Sequence, residues 1–247
     1  MTAVGIIPAR WASTRLPGKV LVDICGKPMI EHVWLRAKKS LKLSDVIIAC
    51  DEPQVFERVK AFGASAVLTS KDHPSGSDRV AEAARKTDAD VIVNIQGDEP
   101  LIDPRVIDAL VDVLAQDKSV PMATVVKRVK SSEEFDNPNI VKVALDNKGF
   151  ALYFSRAGIP FKRDGERKDY SVYFRHLGIY AYRRDFLLEY CQWPKSFLEQ
   201  EEALEQLRVL EAGHRIRTVE TDVETIGVDA PEDVLKVVQY LKAKPNA

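Results

Sequence analysis

Short apolar runs alternate with helix-like stretches through the first part of the chain. The runs Ala3 to Ile7, Val46 to Ala49, Ala66 to Leu68 and Val91 to Ile95 have the length and composition of buried strands. The stretches between them have the periodicity and end signals of helices, at residues 29–39, 53–62 and 79–86. Strands that alternate with helices predict a parallel, doubly wound sheet.

The second half of the chain has a different pattern. Segments Met122 to Arg128, Ile140 to Leu145 and Phe150 to Phe154 alternate as strands, with a hairpin-like turn at Asp146 to Gly149. A further strand is expected at Phe174 to Tyr182. We therefore predict an α/β fold with a doubly wound mixed sheet. It forms one domain over residues 1–247, with a small antiparallel lobe at about 130–215.

The last part of the chain is expected to return to helix and strand. Leu204, Leu207 and Leu210 have helical spacing, which predicts one helix over Glu199 to Glu211. A strand at 216–219 and a helix ending near residue 241 follow.

Composition excludes several classes of protein. The 247 residues carry a net charge of −1, which gives no indication of a nucleic-acid or membrane surface. The cysteines Cys25, Cys50 and Cys191 are far apart and odd in number, so neither a disulfide framework nor a zinc site is predicted. No signal peptide or membrane span is recognised. A reduced, cytoplasmic protein is expected.

A cationic loop follows the first strand. The stretch from Gly5 to Lys19 carries Arg10, Arg15 and Lys19, two hydroxyl side chains and a Pro-Gly turn. A guanidinium group can donate two parallel hydrogen bonds to the oxygens of one phosphate, and a lysine adds a mobile point charge. At the carboxyl end of a parallel strand, such a loop is suited to a polyphosphate. A solvated basic surface loop is the alternative.

The strand at 91–95 also ends in a chemically distinctive loop. Gly97 would allow a ligand close to the backbone, and Asp98 is placed to hold a hard cation over phosphates bound by the first loop. An aspartate here can equally be a turn residue. Ser75 and Asp78 have capping spacing at the start of a helix, as do Asp229 and Glu232, so structural capping is an alternative there too.

Two features of the second half are weaker signals. Alternation along the strand at 174–182 places His176, Gly178 and Tyr180 on one face, where they could line a polar pocket or simply belong to the core. The segment Lys162 to Asp169 is dense in charge and is expected to be a mobile surface loop or a lid.

Together these motifs resemble the sugar nucleotidyltransferases, and most closely the 3-deoxy-manno-octulosonate cytidylyltransferase family. The first loop alone, Ile7 to Lys19, would indicate only a nucleotidyltransferase, and the other motifs indicate this branch. The matching motifs cover nearly the whole chain and lie at residues 26–30, 75–79, 94–100, 141–143, 151–156, 175–180, 204–208 and 227–229. Small departures are Cys50 and Ala230, where threonine is usual. The resemblance implies a Rossmann-like fold of the nucleotidyltransferase type.

The resemblance also implies roles for individual residues. Catalysis would rest on Arg10, Lys19, Asp98 and Asp229, with Asp98 and Asp229 holding Mg²⁺. Nucleotide-binding residues would be Ala9, Arg10, Ser13, Arg15, Lys19, Gly76, Arg79 and Gln96. Sugar-binding residues would be Arg156, His176, Tyr180, Glu205 and Gln206.

The implied reaction transfers CMP from CTP to 3-deoxy-manno-octulosonate (Kdo), giving CMP-Kdo and pyrophosphate for lipopolysaccharide synthesis. No residue stands out as a general base. A homodimer with contacts in the antiparallel lobe is implied as well. Two alternatives stay open: cytidylyl transfer to another sugar acid, such as a sialic acid or 8-amino-Kdo, and a nucleotide-sugar binding or regulatory protein on the same fold.

Overall fold

The computed structural model describes residues 1–12 and 16–244. The chain forms two compact units, Met1–Val111 with Val223–Ala247, and Asp112–Asp222. Along the described ranges, none of the helices has both the length and the apolar character needed to cross a membrane.

The first unit contains the predicted parallel strands. They are β1 Ala3–Ala9, β4 Asp45–Cys50, β5 Ser65–Leu68 and β6 Val91–Asn94, and a short hairpin is formed by β2 Asp23–Ile24 and β3 Lys27–Pro28. The order is β6-β1-β4-β5, and every neighbouring pair is parallel. Their carboxyl ends therefore share one edge, which is where ligands of open parallel sheets bind.

Helices connect these strands. They are α1 Met29–Ala37, α2 Pro53–Ala61, α3 Gly76–Ala84 and α9 Pro231–Ala243, with a 3₁₀ turn at Lys19–Leu21. Proline begins α2 and α9, where its missing N–H costs no helical hydrogen bond. Ser75 caps α3, as predicted, because its hydroxyl accepts the N–H of Asp78 at 3.1 Å.

The second unit contains the antiparallel strands. They are β7 Met122–Arg128, β8 Lys142–Leu145, β9 Ala151–Ser155, β10 Phe174–Arg183 and β11 Ile216–Glu220. Strand β10 is antiparallel to β7 and β8, β8 is antiparallel to β9, and β11 is parallel to β7. Its helices are α5 Ser132–Asp136, α6 Arg184–Tyr190, α7 Phe197–Glu202 and α8 Leu207–Glu211. Helix α4 Pro104–Gln116 begins in the first unit and ends in the second. The mixed α/β architecture is confirmed, and the helix α5 was not predicted.

The single helix predicted over residues 199–211 is wrong, because α7 and α8 are separate. Ala203 ends α7 in the left-handed conformation, with φ of 50°. The carbonyls of Glu202 and Ala203 accept hydrogen bonds from the guanidinium of Arg156 at 2.7 and 3.3 Å. A contact from a distant strand thus stabilises a helix end that leucine periodicity alone does not reveal.

The charged segment at 162–169 has neither helix nor strand, as expected for a loop. It makes specific contacts nonetheless. The guanidinium of Arg167 lies 4.5 Å from the ring centroid of Phe135, in cation–π contact, and also donates to the carbonyl of Pro160.

Candidate active site

The carboxyl edge of the first unit's sheet borders a cavity of about 390 Å³, called here the Lys19 cavity. Its lining combines residues that follow β1 and β6 with the start of α3 and the segment before α9. The lining residues are Pro8, Arg10, Ala12, Lys19, Val20, Gly76, Gln96, Gly97, Asp98 and Asp229. Residues predicted from four separate motifs therefore meet in one place: Arg10, Lys19, Gly76, Gln96, Asp98 and Asp229.

Lys19 lies between the two predicted metal-binding carboxylates. Its ammonium donates to Asp98 Oδ2 at 2.7 Å and to the carbonyl of Val228 at 2.9 Å, and it lies 3.4 Å from Asp229 Oδ1. The Lys19 side chain is 15% exposed, against 59% for Asp229, so the ammonium is drawn inward while one carboxylate remains open to solvent. Lys19 is therefore ion-paired with both carboxylates at once.

Asp229 reaches Lys19 because it does not cap the last helix. The predicted pairing of Asp229 with Glu232 is wrong by one residue: Ala230 precedes α9, and the carboxylate of Asp233 accepts the N–H groups of Asp229 and Ala230, each at 3.1 Å. These bonds lower the pKa of Asp233, after the larger effect of its hydrogen bond to Lys236. The cap is thus supplied from inside the helix, and the Asp229 side chain is turned to the cavity.

Gly97 is required by backbone packing. A methyl group at this position would lie 2.7 Å from the carbonyl oxygen of Pro8 and 3.2 Å from Ile30 Cδ1. The sequence suggested that this glycine lets a ligand approach. The structure shows that it also lets the loop after β6 pack against the end of β1, which brings Asp98 beside Lys19. Because Gly97 lines the cavity, ligand approach stays a prediction.

The donor set of the cavity fits Mg²⁺. Asp98 and Asp229 supply carboxylate oxygens, and Val228 supplies a carbonyl oxygen within 2.9 Å of the same ammonium. Over residues 1–12 and 16–244 there is no group of three or more His, Cys, Asp or Glu side chains that could hold a metal ion. Mg²⁺ commonly uses one or two protein carboxylates and takes its other ligands from phosphates and water. Its binding here stays a prediction.

The other residues predicted to contact the nucleotide differ in their exposure to solvent. Arg10 is exposed on the cavity wall, and Ala9 is fully buried at the end of β1. Ser13 and Arg15 fall outside the described residues. Contacts of all four with a nucleotide stay predictions.

Arg79 is fully buried and is not among the residues that line the cavity. Its guanidinium donates to Thr69 Oγ1 at 2.6 Å, to the carbonyl of Ser70 and to Asp51 Oδ2 at 3.3 Å. Asp51 in turn accepts the N–H of Trp11 at 2.9 Å, directly after Arg10. The pair therefore ties helix α3 to the loop after β1. Contact between Arg79 and cytosine stays a prediction.

Sequence reasoning missed Asp51, although its position after β4 was a usable signal. It lies at the same carboxyl edge as Asp98, and an aspartate at the end of a buried strand needs a partner. Burial and the neighbouring Asp51 carboxylate raise the pKa of the Cys50 thiol to about 12, which disfavours the reactive thiolate form.

The second unit contains a connected set of polar side chains, called here the His176 cluster: Thr124, His176, Tyr180 and Gln206. The register of β10 against β7 shifts between Leu177 and Tyr180. At this shift β10 contains two residues, 178 and 179, that have no partner in β7. An even number of extra residues preserves the alternation of side chains. The rings of His176 and Tyr180 therefore lie on one face, with centroids 5.4 Å apart. The predicted shared face of these two residues is confirmed.

The hydrogen bonds fix the form of His176. Thr124 Oγ1 donates to the carbonyl of Ile179 at 2.8 Å, so it accepts from His176 Nε2 at 2.9 Å. Nδ1 then carries the lone pair. Burial lowers the pKa of His176 to about 3, and the ring is neutral at physiological pH.

Tyr180 and Gln206 complete the cluster. The Tyr180 hydroxyl donates to Gln206 Oε1 at 3.3 Å, and burial, aided by the charge of Glu205, raises the pKa of Tyr180 well above its ordinary value. Gln206 is 1% exposed, and its Nε2 has no hydrogen-bond partner among the described residues. A buried amide without a partner costs free energy unless a ligand binds it.

Arg156, predicted to bind a sugar carboxylate, is engaged with protein carbonyls. Besides Glu202 and Ala203, its guanidinium donates to Pro138 at 3.1 Å. The structure therefore gives Arg156 a role in holding the end of α7, and its contact with a sugar stays a prediction. Thr124 was missed because a threonine inside a buried strand carries no functional signal in sequence.

A family model described as cytidylyltransferase matches residues 4–216, and this match assigns the chain to a class of nucleotidyltransferases. The 3-deoxy-manno-octulosonate cytidylyltransferase of Geotalea uraniireducens is 50% identical over 98% of this chain and 100% of its own. That of Solibacter usitatus is 52% identical over 97% of this chain and 94% of its own.

A solved structure agrees with these relatives. CMP:2-keto-3-deoxy-manno-octonic acid synthetase complexed with CTP has a TM-score of 0.93 and 45% identity, covering 99% of this chain and 100% of that one. The chain belongs to the 3-deoxy-manno-octulosonate cytidylyltransferase family, as its motifs predicted.

Proposed function

We propose that this protein transfers CMP from CTP to the anomeric hydroxyl of Kdo, with release of pyrophosphate. The observation that carries the proposal is the arrangement of Lys19 between Asp98 and Asp229 in a cavity that Arg10 also lines. Membership in the family supports the choice of CTP and Kdo as substrates.

In the proposed step the anomeric oxygen forms a bond to the α-phosphorus of CTP. The bond from that phosphorus to the bridging oxygen breaks, pyrophosphate leaves with the electron pair, and the hydroxyl proton is lost to solvent. Arg10 and Lys19 bind the triphosphate and offset charge on the leaving pyrophosphate. Bound Mg²⁺, held by Asp98 and Asp229, would neutralise phosphate oxygens and increase the electrophilicity of the phosphorus.

The His176 cluster is proposed to bind the sugar through neutral groups. His176 Nδ1 can accept a hydrogen bond from a sugar hydroxyl, and Gln206 Nε2 can donate one to a sugar oxygen. Because both side chains are uncharged, they suit hydroxyl groups rather than phosphates. Glu205 and Arg156 are the additional contacts that the family resemblance proposes.

We also propose that the protein acts as a homodimer in the cytoplasm, in lipopolysaccharide synthesis. Exposed apolar side chains in the second unit, including Leu152 at 61% and Phe197 at 66%, support an interface there. The cysteines Cys25, Cys50 and Cys191 have no disulfide partner, which supports a reducing compartment.

The test is pyrophosphate release from CTP and Mg²⁺ by purified protein. Kdo, 8-amino-Kdo and N-acetylneuraminate are offered in parallel, with a reaction lacking sugar as the control. Release with Kdo alone is expected. Release with only another sugar would overturn the substrate assignment, and no release with any sugar would favour a nucleotide-sugar binding protein.

A further inference from the structure

Every hydrogen-bond or ion-pair contact described for the ammonium of Lys19 is with an oxygen atom. The three oxygens belong to Asp98, Val228 and Asp229, at 2.7, 2.9 and 3.4 Å. Carboxylate and carbonyl oxygens are also the ligands that Mg²⁺ prefers. The lysine thus occupies the place for which a divalent cation would compete.

The position of Lys19 is determined by its own backbone. Gly18 has a left-handed conformation, with φ of 66°, and the N–H of Lys19 donates to the carbonyl of Leu16 at 3.0 Å. A methyl group at Gly18 would lie 3.0 Å from the ring of Trp11. This tight turn directs the side chain into the cavity, where it is 15% exposed.

Lys19 and Mg²⁺ would compete for Asp98 Oδ2. Mg²⁺ lies about 2.1 Å from its oxygen ligands, and the ammonium is already 2.7 Å from this oxygen. Two cations that close repel each other strongly, since few water molecules separate them. Binding of the ion beside this oxygen therefore favours movement of the ammonium away from it. The flexible four-carbon stem of lysine allows the ammonium to move within the same cavity.

We propose that Lys19 is a resident counter-cation of the Asp98 and Asp229 carboxylates. Mg²⁺ displaces the ammonium when it enters with CTP, and the displaced ammonium then binds the triphosphate. The second part of this inference rests on the proposed function, and the first does not. Without nucleotide the lysine keeps the two carboxylates together and weakens Mg²⁺ binding, so the ion is favoured only as its complex with the triphosphate.

The test is titration of nucleotide-free protein with Mg²⁺ by calorimetry, for the wild type and for Lys19→Met. Removal of the competing ammonium is expected to tighten Mg²⁺ binding at least tenfold. Lys27→Met is the matched control, because Lys27 also pairs with a carboxylate, Glu31 at 2.6 Å, but away from the cavity. Its Mg²⁺ affinity should equal that of the wild type.

A second measurement separates this idea from the proposed reaction. At saturating Mg²⁺, CTP binding should weaken about tenfold in Lys19→Met, because the ammonium that Mg²⁺ displaces in the wild type is then missing from the triphosphate. If Lys19→Met does not fold, Lys19→Gln replaces it, since glutamine can still donate to the carbonyl of Val228. Unchanged or weaker Mg²⁺ binding in the folded variant would overturn the inference. These titrations contain no sugar, so absence of turnover would reject only the proposed function.

Discussion

The Lys19 cavity and the His176 cluster are built from opposite kinds of polar group. The cavity in the first unit is built from charges, with Lys19 and Arg10 beside Asp98 and Asp229. The cluster in the second unit is neutral, because burial lowers the pKa of His176 to about 3 and raises that of Tyr180 well above its ordinary value. Charges suit phosphates and a metal ion, whereas neutral donors and acceptors suit hydroxyl groups.

The difference also explains where the residues lie. Full charges are costly to bury, so the cavity is formed by loops at an open sheet edge. Neutral polar groups can be buried when most of their hydrogen bonds are made, so the cluster lies on strand β10 and beside α8. Changes in the cavity should therefore affect the rate, and changes in the cluster should affect sugar affinity.

The largest effect is expected from Asp98→Asn. Loss of this carboxylate removes a partner of Lys19 and a proposed ligand of Mg²⁺, and kcat should fall by at least about two orders of magnitude. Steady-state pyrophosphate release is the measurement. Asp185→Asn is the control, because this side chain is 95% exposed, and its kcat should be unchanged. Full activity in Asp98→Asn would show that the reaction does not depend on the charges of the Lys19 cavity.

The next effect concerns stability. In Gly97→Ala the added methyl group would meet the carbonyl of Pro8, and the free energy of unfolding should fall by about 2 kcal/mol, the scale of overpacking. Chemical denaturation measures it. Gly178→Ala serves as the control, since a methyl group there meets nothing within 4 Å. Equal stability of both variants would show that the two loops do not need this close packing.

A smaller effect on binding is expected from Gln206→Met. This change removes the buried amide but keeps its length, and the KM for Kdo should rise about tenfold, the value of one hydrogen bond. The KM for CTP should stay the same. The exposed Gln200, changed to Met, provides the control. If the KM for CTP changed as much as that for Kdo, the assignment of the cluster to the sugar would be wrong.

The smallest effect is a pH dependence due to His176. Between its folded pKa of about 3 and an unfolded value of about 6.5, the unfolded chain binds the proton more strongly. The contribution of neutral His176 to the free energy of unfolding is therefore fully present above pH 6.5 and is lost as the pH decreases. From pH 7 to 5 the wild type should lose about 1 kcal/mol more than His176→Gln, after a discount for the ring's residual exposure. Parallel losses in denaturation curves would contradict a neutral His176.

Local sequence patterns predicted the strands well, because burial periodicity is a local property. Strand β7 has the predicted bounds, 122–128, and the motifs after β1 and β6 meet at one edge, as parallel topology requires. Contacts from distant segments account for the errors. Arg156 holds the break between α7 and α8, and Asp233 replaces Asp229 as the cap of α9.

The ion pairs between residues distant in sequence could not be predicted from local patterns either. Nothing local shows that Arg79 would be buried against Asp51, or that Lys19 would lie between two carboxylates far away in sequence. The family resemblance supplied roles for Arg79 and Lys19 but not their partners. Those partners depend on which side chains the folded chain brings within a few ångströms.

The most direct test of the account is ³¹P NMR of wild-type protein with CTP, Kdo and Mg²⁺. The account predicts that the triphosphate resonances are replaced by those of one phosphodiester, CMP-Kdo, and one pyrophosphate for each CTP consumed. Release of CMP and pyrophosphate at a rate independent of Kdo, or no consumption of CTP, would contradict it.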